Sequence, residues 1–338
     1  MSLSLIEAFS SIEDPRVERH KRHKLIDIIV LTTCAVVSGS DGWESIEEFG
    51  KNKPDWLQQW IELENGILSH DCIARVISKL QPTEMSQCFT EWVNSVVELT
   101  EGEIVAIDGK TAEKSNEITA IPALLELLEI KGCIITIDAM GCQASITEKI
   151  IEKKADYVLA VKDNQKFLNE AITDYFEEAI AANNPTLCQL TDHEEINAEH
   201  GRIEVRRCYL STNIDTLPDS FRWKGFKSIG MVESERTVNG KTSIERRHYI
   251  CSLTDVKSFA RAARKHWGVE NSLHWVLDVV FREDDLRIRT GYAPENFNIM
   301  RQLAINLLNK DTSRGSIKKK RFRAALSDDF RESVIFSS

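Results

Sequence analysis

Three short apolar runs between residues 103 and 162 limit what this chain can fold into. They are EIVAIDGK (103–110), CIITIDAMG (133–141) and YVLAVK (157–162). A strand with one wet face alternates polar and apolar residues, whereas these runs are apolar almost without a break, so both of their faces need cover. Helical periodicity fills the gaps, over Asn116–Glu129, with Pro122 as a kink or restart, and over Gln143–Lys154. Strand–helix–strand–helix–strand predicts a parallel sheet with right-handed crossovers and helices on its faces. The first two runs carry an aspartate at the strand end, Asp108 and Asp138. On neighbouring parallel strands those carboxylates face one crevice, where open α/β sheets place their ligands.

The remainder of the 338 residues arranges itself around that core. Residues 1–100 read as a helical domain, with helices at Leu25–Ser38, Trp43–Gly50, Trp56–Leu63 and Cys72–Leu80 and a last one from Pro82 to about Leu99. Residues 101–182 are the first part of the α/β core, including a helix over 165–182. Residues 183–253 are a β-rich insertion with a hairpin turn at Val238-Asn239-Gly240-Lys241. Residues 254–310 are helical again, and 311–338 form a basic tail. A hydrophobic content of 42% with 28% charged residues excludes a disordered chain. The longest apolar run, Leu25–Val37, contains Asp27 and falls short of the roughly 18 residues of a membrane span, so no membrane partner is expected. The first residues lack the pattern of a signal peptide. Eight cysteines with no CxxC pair predict a reduced, cytoplasmic protein.

The net charge of −10 conceals an asymmetry. Residues 254–338 hold 16 Lys/Arg against 11 Asp/Glu, whereas the preceding residues are acidic. A basic part on an acidic body is the local footprint that phosphate contact requires, although a solvated basic tail looks the same. Its cations include Arg264, Lys265, Arg282, Arg287, Arg289 and the run Lys318, Lys319, Lys320, Arg321 and Arg323; Lys110 and Lys162 follow the first and third apolar runs. Within 264–285, taken as one helix, His266, Glu270, His274 and Asp278 recur every four residues beside an apolar band. A carboxylate in such a band needs a partner. Two strand-end aspartates and a helical glutamate make an oxygen donor set suited to Mg²⁺ or Mn²⁺ and to two-metal phosphodiester chemistry. Each aspartate alone reads more simply as a turn or cap residue. Zinc on His266, Glu270 and His274 is the weaker reading, because the HExxH register is missing. No GxGxxG, Walker or GxSxG sequence is present.

The chain resembles the bacterial insertion-sequence DDE transposases of the H-repeat-associated group. The resemblance rests on DPRVERHKRHK (14–24), IDGKT (107–111), EKSNEITAIP (113–122), TIDAMGCQ (136–143), HGRIE (200–204) and HWGVENSLHWVLDVVFRED (266–284), in order over nearly the whole length. It implies a mixed α/β fold with a ribonuclease-H-like core, a β-rich insertion before the last acid, and an N-terminal helical domain. It further implies Asp108, Asp138 and Glu270 as catalytic metal ligands for Mg²⁺ or Mn²⁺. Lys162, Arg264 and His266 would support double-stranded DNA at the element ends and target, in a homodimer associated with the bacterial nucleoid. One departure stands out. That fold places two antiparallel strands after the first strand, and only about six polar or small residues separate Thr111 from the next helix here. The second and third strands of the core are therefore expected to be missing, leaving the first strand as an unpaired edge. Two further readings stay open: a non-catalytic DNA-binding remnant, and a metal-dependent structure-specific nuclease.

Overall fold

The computed structural model describes residues 3–18, 21–96, 100–107, 117–182, 190–199, 202–215, 217–238, 240–269 and 273–336. The chain divides into two compact units: Met1–Glu98 with Asn271–Ser338, and Leu99–Glu270.

The first unit is helical and discontinuous in sequence. Its N-terminal part comprises α1 (Leu5–Phe9), α2 (Leu25–Val37), α3 (Trp43–Asn52), α4 (Pro54–Leu57), α5 (His70–Ile77) and α6 (Pro82–Val96). Its C-terminal part comprises a π-helical turn (Val276–Val280), then α11 (Ala293–Lys310), α12 (Ile317–Leu326) and α13 (Asp328–Ile335). Nearly every residue of α2 is buried, as an all-round apolar helix requires. Thr32 and Thr33 satisfy their hydroxyls on the carbonyls of Ile28 and Ile29, at 2.7 and 2.9 Å. Residues from both ends of the chain form one core around α2, including Phe297, Met300 and Leu307 of α11. Burying each such side chain contributes about 1.5–3 kcal/mol. Ser4 caps α1 with a reciprocal bond from Glu7, and Ser69 caps α5.

The second unit is a three-layer α/β/α body. Its strands are β1 (Ile104–Ile107), β2 (Ile134–Ile137), β3 (Asp156–Val161), β4 (Leu190–Glu199), β5 (Arg202–Ser211), β6 (Ser228–Val238) and β7 (Lys241–Cys251). They form one sheet in the order β1-β2-β3-β7-β6-β5-β4. β1, β2 and β3 pair in parallel, β3 meets β7 antiparallel, and the rest is an antiparallel meander. Helices α7 (Glu117–Leu127), α8 (Ala144–Glu152) and α9 (Lys166–Ala181) cover one face, and α10 (Val256–Val269) covers the other. Alternation within single strands shows why the runs are apolar throughout. Ile135, Ile137, Tyr157 and Leu159 enter the first core, while Ile134 and Val158 enter the second. Gly230 lets α10 approach: a Cβ there would lie 2.4 Å from the Phe259 ring. Toward the outer end of the meander a charge ladder replaces the core. Arg207 meets Glu194 at 2.8 Å and Glu235 at 3.1 Å, and Arg246 meets Glu233 at 2.8 Å.

Several expectations need correction. The β-rich segment continues the parallel sheet, because β7 hydrogen-bonds β3, and its outer strand β4 carried no strand signal of its own. The stretch 254–310 does not stay together: α10 belongs to the sheet unit, whereas residues from 271 belong to the helical unit. Of the helix expected over 264–285, residues up to Val269 belong to α10 and Val276–Val280 form a π-helical turn, while 270–272 lie outside the described residues. The basic tail is two packed helices.

Candidate active site

Asp138 follows β2 directly. It is half-buried and N-caps a 3₁₀ turn (Ala139–Gly141), accepting a bond from the Gly141 N–H at 3.3 Å through Oδ1. Gly141 permits that tight turn, since a Cβ would lie 2.2 Å from the Ile137 side chain. The turn after β3 braces it. Asn164 donates to the Ala139 carbonyl at 2.6 Å, and Gln165 donates to the Cys142 carbonyl at 3.1 Å. Burial, with the Asp138 charge nearby, pushes the Cys142 thiol up to about 12, so it is an inert packing group.

Two residues before Asp138, the buried Thr136 is the single polar side chain of β2. Its Oγ1 lies 3.1 Å from His266 Nδ1, near the end of α10. The next residue, Trp267, carries the Arg247 guanidinium at 3.6 Å from its ring centroid, a cation–π contact from β7. Arg247 also pairs with Glu245 at 2.8 Å. Asp138, Lys162, Glu245, Arg247, His266 and Trp267 share in lining a crevice of about 290 Å³ on the sheet unit. His248, also on its wall, bonds Asn169 at 3.0 Å; burial and then the Arg246 charge hold its pKa below the ordinary imidazole value, so it stays neutral.

The sequence-derived residues therefore fall into groups. Asp138 and Lys162 reach the crevice, Lys162 exposed at the end of β3. Asp108, Lys110 and Glu270 lie outside the described residues. Their neighbours are placed: Ile107 is the register partner of Ile137, and α10 ends at Val269. Among the described residues no three His, Cys, Asp or Glu side chains form a metal cluster, and of the three predicted carboxylates Asp138 is the one described. Arg264 and Lys265 are exposed on α10, while His266 is half-buried and engaged by Thr136. Arg282, Arg287 and Arg289 are exposed on the helical unit, as are Lys318, Lys319 and Arg323 on α12. Lys320 and Arg321 correct the expectation of a DNA-facing run. Arg321 is 6% exposed and donates to the carbonyls of Val36, Ser40 and Val280 at 3.0, 3.0 and 2.7 Å, with Asp41 at 2.5 Å. Lys320 donates to the carbonyls of Leu308 and Asp311. Both satisfy the open carbonyls of helix ends. Sequence reasoning missed Thr136, Arg247 and the Asn164–Gln165 brace. A polar residue inside an apolar strand was the signal for the first.

The sheet unit is a mixed α/β body whose crevice brings acidic and basic side chains together at the end of β2 and β3. Comparison makes the assignment specific. Residues 93–307 match the Transposase DDE domain, and residues 6–93 match the DDE_Tnp_1-associated family. The chain belongs to the DDE transposase family. It is 40% identical to "H repeat-associated putative transposase YhhI" of Escherichia coli (strain K12) over 99% of this chain and 98% of that protein. It is 41% identical to "Putative transposase YncI" of Escherichia coli O157:H7 over 99% and 95%. A 75-residue match at 51% identity, covering 22% of this chain, is to "Inactive transposase YbfQ" of Escherichia coli (strain K12). The two long alignments each run to 374 positions against a chain of 338, so about three dozen positions of each face no residue here.

Proposed function

We propose that the chain is an insertion-sequence transposase of ribonuclease-H-like design that cuts and joins DNA at element ends through Asp108, Asp138 and Glu270. One observation carries this reading: the turn of α10 that precedes Glu270 is hydrogen-bonded, through His266, to the strand that delivers Asp138. The register partnership of Ile107 and Ile137 brings β1 to the same sheet end. Three carboxylates from these elements suit Mg²⁺ or Mn²⁺, which would supply activation of the attacking oxygen and neutralisation of the leaving one. The protein's part is positional. The Gly141 N–H fixes the Asp138 rotamer, the Asn164–Gln165 brace holds its turn, and exposed Lys162 offers positive charge to a phosphodiester in the crevice. Cleavage breaks one P–O bond as water adds to phosphorus and leaves a 3′-hydroxyl; strand transfer repeats the exchange with that hydroxyl as nucleophile. Purified protein with Mn²⁺ and a plasmid bearing the cognate ends is expected to nick it, and Asp138→Asn to remove nicking. Nicking retained in Asp138→Asn would refute the assignment.

A second reading has its own support. The shortfall of about three dozen aligned positions, with β1 at the end of the strand order, fits a copy that has lost the core's second and third strands. Under it, DNA binding survives and cleavage does not. Inserting the corresponding segment of a long relative after Thr111 is expected to restore nicking; equal nicking with and without the insertion rejects this reading.

A further inference from the structure

The helical unit carries an open groove of about 1050 Å³ that the strand-cleavage chemistry does not use. One wall is α5 and the turn after it, which expose Arg75 and Lys79; the other is the segment 282–290, which exposes Arg282, Arg287 and Arg289. The second wall is built, not draped. Leu286 and Ile288 are partly buried against the helical core, so Arg287 and Arg289 alternate outward. The segment's far end is fastened to α5: Tyr292 N–H donates to the Ser78 carbonyl at 3.0 Å, and buried Asn296 donates to the carbonyls of Ile77 and Leu80, both at 2.9 Å. Gly291 makes the approach possible, with φ +54° and room for no Cβ, which would lie 2.5 Å from the Ser78 oxygen.

The lining is net cationic: Arg75, Lys79, Arg282, Arg287 and Arg289 outnumber Asp41, Glu44, Asp71 and Asp285, and of these acids Asp41 is engaged by Arg321 and Asp285 by Arg282 at 3.8 Å. Among the described residues no carboxylate pairs with Arg75, Lys79, Arg287 or Arg289. Unpaired guanidinium groups fork onto phosphate oxygens, and facing rows of them suit a polyanion better than a folded acidic surface. Among the described lining residues there is no Asn or Gln, and the one tryptophan, Trp43, packs edge-on against Phe297, which points to backbone positioning and not sequence reading.

We propose that this groove holds the phosphate backbone of duplex DNA, with the DDE-associated module supplying the Arg75–Lys79 wall. The proposal rests on the transposase reading, yet its test is separate because binding is measured without metal. The full chain in EDTA is titrated with a labelled duplex of arbitrary sequence across a salt series. Arg75→Gln/Lys79→Gln and Arg287→Gln/Arg289→Gln are each expected to reduce the salt slope by about two and to weaken low-salt binding roughly tenfold. Arg287→Lys/Arg289→Lys is expected to keep the slope, which separates lost charge from lost folding. Parental slopes in both Gln pairs would overturn the proposal, as would a change in oligomeric state with DNA binding intact, since that would give the groove to a second copy. Absence of nicking in a chain that passes these tests would count against the strand-cleavage reading alone.

Discussion

The two units treat arginine in different ways according to where it sits relative to helix ends. In the helical unit, Arg321 is drawn inside because the C-terminal carbonyls of α2 need donors, while its neighbours Lys318 and Lys319 stay in water. In the sheet unit, Arg247 and Arg207 remain on strand faces, one stacked on Trp267 and the other bridging glutamates of adjacent strands. In both units these arginines are committed to structure, in the first to backbone carbonyls inside the core and in the second to carboxylates or an indole on the sheet. A cation committed in either way is less available to phosphate than an exposed one such as Lys318 or Lys319.

The sharpest way to break that comparison is within the run 318–323. Arg321→Ala is expected to destabilise the chain by about 3–5 kcal/mol, because it leaves buried carbonyls and Asp41 unmatched, while Lys318→Ala changes stability by less than about 0.5 kcal/mol; urea denaturation of both variants checks this. Next, Asp138→Asn is expected to lower nicking by roughly two to three orders of magnitude, the scale of removing one group that stabilises transition-state charge. Its melting temperature should stay near the parent's, because a neutral amide oxygen still caps the 3₁₀ turn. Thr136→Val removes the bond to His266 and should cost about 0.5–1.5 kcal/mol; if it positions α10, turnover falls while DNA affinity holds, and a change in affinity alone would refute that role.

The smallest effect concerns protonation at α5. Hydrogen bonds from Lys51 and His70 hold the Glu47 carboxyl down at about 2, and the same contact raises the His70 pKa above its ordinary value. The two signs differ. The Glu47 contribution is present above pH ~4.3 and fades as pH falls toward 2. The His70 contribution is present below pH ~6.5 and fades as pH rises through its raised folded value. Glu47→Gln should return the His70 titration, followed by NMR, toward 6.5; an unmoved titration would place the cause elsewhere.

How much of this was legible beforehand follows from the range of the interactions. The parallel strands were readable because burial on both faces imposes an unbroken apolar run, and that is a local property of 104–107, 134–137 and 156–161. Asp138 was readable because a strand end is local too. β4 was not, since Leu190–Glu199 is an acid-rich strand whose stability comes from its register with β5 and the Arg207 ladder. His266 read as one of four residues on a helical face, and only packing against β2 gave it Thr136 as partner. Residues 14–24 and 318–323 look equally basic on paper, and no periodicity says that Lys320 and Arg321 are buried.

The sequence by itself determined the family and the doubly covered parallel strands, because motif identity and hydrophobic periodicity are written residue by residue. Tertiary structure alone decided that residues 271–338 pack with 1–98, that the meander continues the central sheet, and that two of the basic tail's cations close helix ends. Those outcomes depend on contacts that no local pattern encodes, from the Lys320 bonds to Leu308 and Asp311 through the β3–β7 pairing to Arg321 on Val36, where buried carbonyls and apolar faces choose their partners across the fold.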